Sequence, residues 1–242
     1  MQKAGKFAGA VQIIKFNWPY YAVSLCTFFA SVLIQFTSIS PWLRYCFLAG
    51  GIVALYFTIA SVLVSHWIYD RSDLYQLNWL AAIDTKPDSP VANVHAGLDE
   101  TSHLLRLRYP RVESYDFFDA RENTENSIER ARKASLNASA TPMVIGKPIN
   151  ASGTIFLILA AHEIRTEAAR VDFFKGLSQS LLPGGRIVLV EHLRNLPNLL
   201  AFGHGFLHFL SDRTWRRSFN KSNLSVKNEF PITPFLRCYI LQ

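Results

Sequence analysis

The sequence predicts an α/β domain built on a parallel sheet and preceded by a pair of apolar helices. Three observations lead there. Ile155–Ala161 is an unbroken apolar run bounded by polar residues, too short to cross a membrane and suited to a strand covered on both faces. Thr154–His192 then alternates strand, helix and strand, the right-handed crossover unit of a doubly wound sheet. Ahead of it, Phe16–Leu43 and Tyr45–Tyr69 contain no Asp, Glu, Lys or Arg, and each is long enough to span the ~30 Å of a bilayer core.

Taken in order, residues 1–19 read as an amphipathic lead-in, with Phe7, Val11 and Ile14 set among Lys3, Lys6 and Lys15. Residues 20–68 read as a transmembrane hairpin, Tyr20–Phe36 and Leu43–Trp67, whose polar turn carries Pro41 where the second helix starts. Trp18, Tyr20 and Tyr21 at one end, Trp42 and Tyr45 at the turn, and Trp67 and Tyr69 at the exit match two aromatic belts. The lysines precede the hairpin and Arg71 follows it, whereas the turn offers only Arg44. That bias predicts a multi-pass protein of the inner (cytoplasmic) membrane with its C-terminal domain in the cytoplasm. A buried helical pair in a soluble protein is the competing reading and would need a large partner surface. The net charge of +7 comes without an aromatic–basic motif. It therefore points to anionic lipid beside the chain and not to nucleic acid. Cys26, Cys46 and Cys238 have neither metal nor redox spacing.

Residues 69–90 read as an interfacial segment ending in the linker Asp84–Pro90, and residues 91–242 as the α/β domain. Within it, Val91–His95 is a strand and Asp99–Leu107 a helix with acidic residues in its first turn. Arg111–Phe118 is the second strand, ending in Asp116 and Asp119. A helix capped by Asn123 or Thr124 follows, with Glu125 in its first turn and Arg130, Arg132 and Lys133 in its last. Thr141–Ile145 is the third strand. The helix Glu167–Leu182 places Val171, Phe174, Leu177 and Leu181 on one face, and Leu-Pro-Gly-Gly ends it. The fifth strand is Ile187–Val190. Leu196–Leu210 reads as an apolar cover for a greasy acceptor or for the bilayer. Leu224–Phe230 and Phe235–Leu241 form an antiparallel hairpin around Pro231–Pro234.

From Asn93 to Gln242 the chain resembles the class I S-adenosylmethionine-dependent methyltransferases. The likeness is carried by Leu182–Val190 (LPGGRIVLV), by Tyr115-Asp116-Phe117 followed by Ser127–Ala134 (SIERARKA), and by the terminal hairpin. It departs from the family at the first turn, where Val94-His-Ala-Gly-Leu-Asp-Glu100 keeps one glycine of a glycine-rich motif. The resemblance implies a Rossmann-like sheet, S-adenosylmethionine as cofactor and a small-molecule acceptor. With the hairpin, that acceptor is expected to be lipophilic: a quinone, an aryl polyene, a phenolic lipid or similar. A methyltransferase-like assembly or binding subunit without catalysis is the alternative, motivated by the depleted turn. A nicotinamide-dependent oxidoreductase is disfavoured because no G-x-G-x-x-G follows any strand.

Ligands of such sheets sit at the carboxyl ends of the strands. The expected cofactor contacts are therefore His95, Ala96, Gly97, Asp99 and Glu100 after the first strand, Asp116 and Phe117 after the second, and Ala161 after the fourth. Asp116 is expected to bind the ribose hydroxyls. Asp99 or Glu100 is expected to meet the cofactor's ammonium, with backbone N–H groups taking its carboxylate. His162, Glu163 and His192 are the catalytic candidates, the histidines as general bases, and Glu191 reads as structural. His204 and His208 share a helical face, but no third ligand is visible in sequence, and no metal is expected.

Overall fold

The computed structural model describes residues 5–83, 88–118 and 140–242. Asp119, the caps Asn123 and Thr124, and the motif Ser127–Ala134 lie outside the described residues. The chain divides into two compact units. One holds the residues up to Arg71 together with Leu196–Phe206; the other holds Ser72–Asn195 and Leu207–Gln242.

The first unit is built on α1 (Ala8–Leu33) and α2 (Pro41–His66). The expected lead-in is thus largely the first turns of α1. Both helices are long and apolar enough to cross a membrane, and only 6% of each apolar window is buried. Their shared seam is polar and small. The Thr58 hydroxyl donates to Ser24 Oγ at 2.7 Å, Ser24 donates to the Ala54 carbonyl at 2.7 Å, and Tyr21 and Ser61 are joined at 2.9 Å. At Gly51 a Cβ would lie 2.0 Å from Ser31 Oγ, so glycine is what permits the close approach there. Asp70 closes the open end: its carboxylate accepts from the N–H groups of Gly9 (2.6 Å) and Ala10 (3.0 Å) and pairs with His66 Nδ1 (2.9 Å). Those N–H groups are orphan donors at the start of α1. The apolar cover forms a short helix, α5 (Leu196–Phe202), running into a 3₁₀ segment, and Gly203 abuts the ring of Phe57 on α2.

The second unit is a seven-stranded sheet in the order β3-β2-β1-β4-β5-β7-β6. Its strands are β1 (Val91–His95), β2 (Val112–Asp116), β3 (Thr141–Pro142), β4 (Ser152–Ile158), β5 (Leu181–His192), β6 (Val226–Thr233) and β7 (Leu236–Leu241). The first five are parallel, and β7 returns antiparallel between β5 and β6. The expected terminal hairpin is therefore present. The continuous apolar run of β4 has the expected cause. Ile155 and Leu157 enter a core with Phe173 and Phe174 of α4 (Glu167–Gln179), while Phe156, on the opposite face, meets Trp79 and Tyr109. Trp79 meets Phe156 within this unit, and the two compact units divide at Arg71/Ser72.

Other boundaries shift for local reasons. The helix expected from Asp99 is only α3 (Ser102–Leu105), because Asp99 accepts from the Ser102 N–H (2.9 Å) and lies outside the helix it starts. The third strand is two residues long, since only Tyr115–Thr141 and Asp116–Pro142 pair. Leu181 already pairs with Ser152, and the Pro-Gly-Gly turn forms an irregularity inside β5 instead of a break before it. α6 (Asp212–Lys221) packs Trp215 and Phe219 into the core against Tyr239.

Candidate active site

A cavity of about 110 Å³ opens at the carboxyl ends of β1 and β4. These neighbouring parallel strands lead in opposite directions across the sheet, one toward β2 and the other toward β5, so the cavity sits at the topological switch point where open α/β sheets hold ligands. After β1 it is lined by His95, Ala96, Leu98, Glu100 and Thr101; after β4 by Ile158, Leu159, Ala160 and Glu163. Tyr75 closes one side and donates its phenol to Glu100 at 2.5 Å. Among the described residues lining it, two are carboxylates and none is Lys or Arg. Leu159 holds a left-handed φ of 53°, a conformation costing a β-carbon residue about 1–2 kcal/mol, and such strain gathers at ligand sites.

Of the expected cofactor contacts, His95, Ala96 and Glu100 line the cavity; Gly97, Asp99, Asp116, Phe117 and Ala161 are not among its lining residues. Asp99 is turned into the domain, where it receives Asn93 Nδ2 (3.2 Å), the N–H groups of Thr101 (3.3 Å) and Ser102 (2.9 Å), and the Ser114 hydroxyl (2.8 Å). Burial alone would raise its pKa; the bonds from Ser102 and Ser114 and the charge of His95 override this and hold it below the ordinary value. It is a cap and a buried tie between β1 and β2. Asp99 thus occupies the N–H groups of Thr101 and Ser102 at the start of α3. Asp116 Oδ1 accepts from the N–H groups of Gly97 (2.8 Å) and Phe118 (2.9 Å), tying together the loops after β1 and β2. Gly97 has a φ of 80° and rests on the Phe118 ring. Phe117 is core, its ring 5.1 Å from that of Phe173, and Ala161 is fully buried in the same core.

Two of the catalytic candidates, His162 and Glu163, meet at the cavity wall, which Glu163 helps to line. His162 is buried; its Nδ1 meets Glu191 Oε2 at 2.7 Å, and its N–H donates to Glu191 Oε1 at 3.1 Å. Its Nε2 lies 3.3 Å from Glu163 Oε1. Burial would lower the histidine's pKa, but the charges and hydrogen bonds of Glu191 and Glu163 outweigh it and raise it to about 10. Burial would raise Glu163; the histidines beside it hold it far below the usual carboxylate range. Its Oε2 is buried and accepts no hydrogen bond. His192 is buried and stacked on Phe209 at 4.6 Å, and it is not among the residues that line the cavity. His204 is exposed and belongs to the helical unit, whereas His208 Nε2 lies 3.3 Å from Glu163 Oε1.

Tyr75, Leu98 and Leu159, which also line the cavity, were not legible as site residues. Only Tyr75, an aromatic in an amphipathic stretch, carried any signal at all.

No protein-family model and no curated protein matches this sequence. Solved structures do. The mitomycin 7-O-methyltransferase MmcR superposes with a TM-score of 0.55 at 12% identity, covering 98% of this chain and 72% of its own. The pyocyanin biosynthetic protein PhzM gives 0.56 at 12% identity, covering 95% and 71%. At these identities the likeness establishes the fold: the Rossmann-like α/β arrangement of methyltransferases, with a mixed sheet ending in antiparallel strands.

Proposed function

We propose that the chain transfers a methyl group from S-adenosylmethionine to a lipophilic small-molecule acceptor at the cytoplasmic face of a membrane. One observation carries the reading. The cavity at the switch point is walled by Glu100 and Glu163, with no Lys or Arg among the described residues that line it, and Asp99 occupies the N–H groups at the start of α3. A dinucleotide would bring its pyrophosphate to that helix N-terminus and meet carboxylates. A sulfonium with an ammonium beside it is the complementary charge. Of the residues present, Glu100 would face the ammonium, His95, Ala96 and Thr101 would border the donor, and Asp116 would keep the two loops in register. The cavity is smaller than the roughly 300–1,000 Å³ of ordinary small-molecule sites, so it suits one end of the cofactor. When bound, the cofactor supplies an electrophilic methyl; the protein aligns donor and acceptor and excludes water.

The polar seam and outward apolar faces of α1 and α2 support insertion in a bilayer, where small and polar residues pack between helices. Charge bias supports a cytoplasmic sheet domain. A lipophilic acceptor follows as the class that membrane anchoring would serve.

A second reading, a non-catalytic assembly subunit, is favoured by the small cavity and the Tyr75–Glu100 bond across its side. Calorimetric titration of the detergent-solubilised chain with S-adenosylmethionine and S-adenosylhomocysteine separates the two. Binding that weakens about tenfold or more in Glu100→Gln, the loss of at least ~1.4 kcal/mol, supports the enzyme; no binding at millimolar ligand supports the subunit. Carbonate washing tests the anchor, since release into the supernatant would rule out an integral protein.

A further inference from the structure

The structure assigns a metal site to His162, Glu163 and His208, a trio that joins the 3₁₀ turn after β4 to the segment before α6. Their ligand atoms all lie within 4.8 Å of one another. Both His162 Nε2 and His208 Nε2 are 3.3 Å from Glu163 Oε1. A tetrahedral ion with bonds of about 2.0–2.1 Å to nitrogen and oxygen sets its ligands about 3.3–3.4 Å apart, so two edges of the tetrahedron already have the right length.

The surroundings are those a metal-binding histidine needs. Glu191, fully buried at the end of β5, accepts His162 Nδ1 at 2.7 Å and so aims Nε2 at the cluster. A carboxylate on the distal nitrogen is the usual outer support of such a ligand. Glu163 Oε2 is buried and accepts no hydrogen bond, with the Arg165 guanidinium 3.7 Å away. Two imidazoles and a carboxylate are borderline donors that suit zinc and its late first-row neighbours, not magnesium or calcium.

Arg165 stands on the outer side. Its Nη2 lies 2.9 Å from His208 Nε2 and 3.7 Å from Glu163 Oε2, and its side chain is 37% exposed. The ion therefore enters as that guanidinium turns to solvent. Three protein ligands leave a fourth position, as in catalytic rather than structural zinc sites. Glu163 also lines the cavity, so the site borders it. Glu163 and Glu191 balance the ion's two charges, and Glu100 is left to face a cationic cofactor. Binding of an acceptor oxygen at the open position rests on the proposed methyl transfer; the metal site does not.

The test is elemental analysis of the full chain purified in detergent, followed by titration of the metal-stripped protein with zinc and with cobalt(II). One equivalent of zinc and the intense visible bands of tetrahedral cobalt are expected. Both should vanish in His208→Ala and Glu163→Gln and persist in the neighbouring control His204→Ala. Glu191→Gln should weaken zinc about 10–100-fold, the usual effect of losing outer support, and Arg165→Ala should tighten it. Circular dichroism of each variant separates loss of ligand from loss of fold. Substoichiometric zinc with no cobalt bands in the folded wild type, or equal binding by folded His208→Ala, would overturn the assignment. S-adenosylmethionine titrations with and without chelator keep this outcome distinct from failure of the methyl-transfer reading.

Discussion

Replacing Asp99 by alanine distinguishes a carboxylate that holds the fold from one that holds a ligand. In the structure the side chain takes four hydrogen bonds, from Asn93, Thr101, Ser102 and Ser114, and His95 Nε2 lies 3.7 Å away. Hydrogen bonds to a charged group contribute about 1.5–3 kcal/mol each. Most of that is offset by the desolvation that the alanine no longer suffers. The partners keep some alternatives: Asn93 Nδ2 also bonds Ser102 Oγ (2.9 Å), and Ser114 Oγ also meets His95 Nε2 (3.1 Å). The Ser102 N–H loses its cap, worth ~1 kcal/mol. A net loss of about 3 kcal/mol results, with two buried donors each left short of one acceptor. For a domain of this size that lowers Tm by roughly 6–12 °C.

The assay is thermal unfolding of the detergent-solubilised chain, followed by fluorescence and read alongside cofactor titration. The pH dependence adds a second check. Because the folded pKa of Asp99 is depressed, its contribution is fully present above the ordinary value of 3.8. It disappears as pH falls through the lower folded value. The gap in Tm between wild type and Asp99→Ala should stay constant from neutral pH down to that ordinary value and narrow below it. An unchanged Tm combined with lost S-adenosylmethionine binding would refute the assignment and return Asp99 to the ligand.

Three further outcomes are expected. Gly51→Leu should split the helical pair, since even a Cβ there meets Ser31 Oγ at 2.0 Å, whereas Gly50→Leu, with nothing within 4 Å, should leave it intact; pairing of the two helices by cysteine crosslinking reads the difference. Asp70→Ala removes the acceptor for two N–H groups at the start of α1 and should cost about 1 kcal/mol, seen as faster amide exchange over its first turn. In membranes, Cys26 and Cys46, exposed on the helices, should react with lipid-soluble but not with water-soluble maleimides. Cys238, buried and with its thiol pushed up to about 12 by that burial, should react with neither until the chain unfolds.

How far the sequence spoke depended on whether a signal was local. β1 was read to the residue because its five positions are all buried and turn formers bound it. The same reading placed the cavity, since strand ends follow from strand positions. The inward bonds of Asp99 were not legible because its partners are tertiary: Ser114 lies on β2, Asn93 on β1, and nothing in a helix-start pattern says which way the carboxylate turns. His208 was paired with His204 by helical spacing, yet its neighbours are Glu163 and His162, brought up by a chain reversal over 45 residues. Glu191 read as structural in sequence, and its buried bond to His162 gives that structure a purpose.

The helical pair presents the reverse of a soluble core, and that inversion discriminates between its possible surroundings. Hydroxyls of Tyr21, Ser24, Thr58 and Ser61 are turned toward the partner helix, while Val23, Phe29, Leu33, Ile52, Ile59 and Leu63 face outward, half or more exposed. In water that arrangement forfeits about 25 cal/mol for each Å² of apolar surface left wet and exceeds the few hundred Å² a monomer tolerates. A protein partner would cover one flank and carry a polar rim around it, but here the apolar positions fall on both helices with no charged residue between Phe16 and Leu43 or between Tyr45 and Tyr69. Hydrocarbon covers every flank alike and demands only that backbone groups be satisfied within the helices. Close packing at Gly51 and a hydroxyl seam then replace the hydrophobic drive that lipid cannot supply between helices. The same sequence feature that looked like excess apolarity is thus an argument for the proposed lipid setting over a second protein.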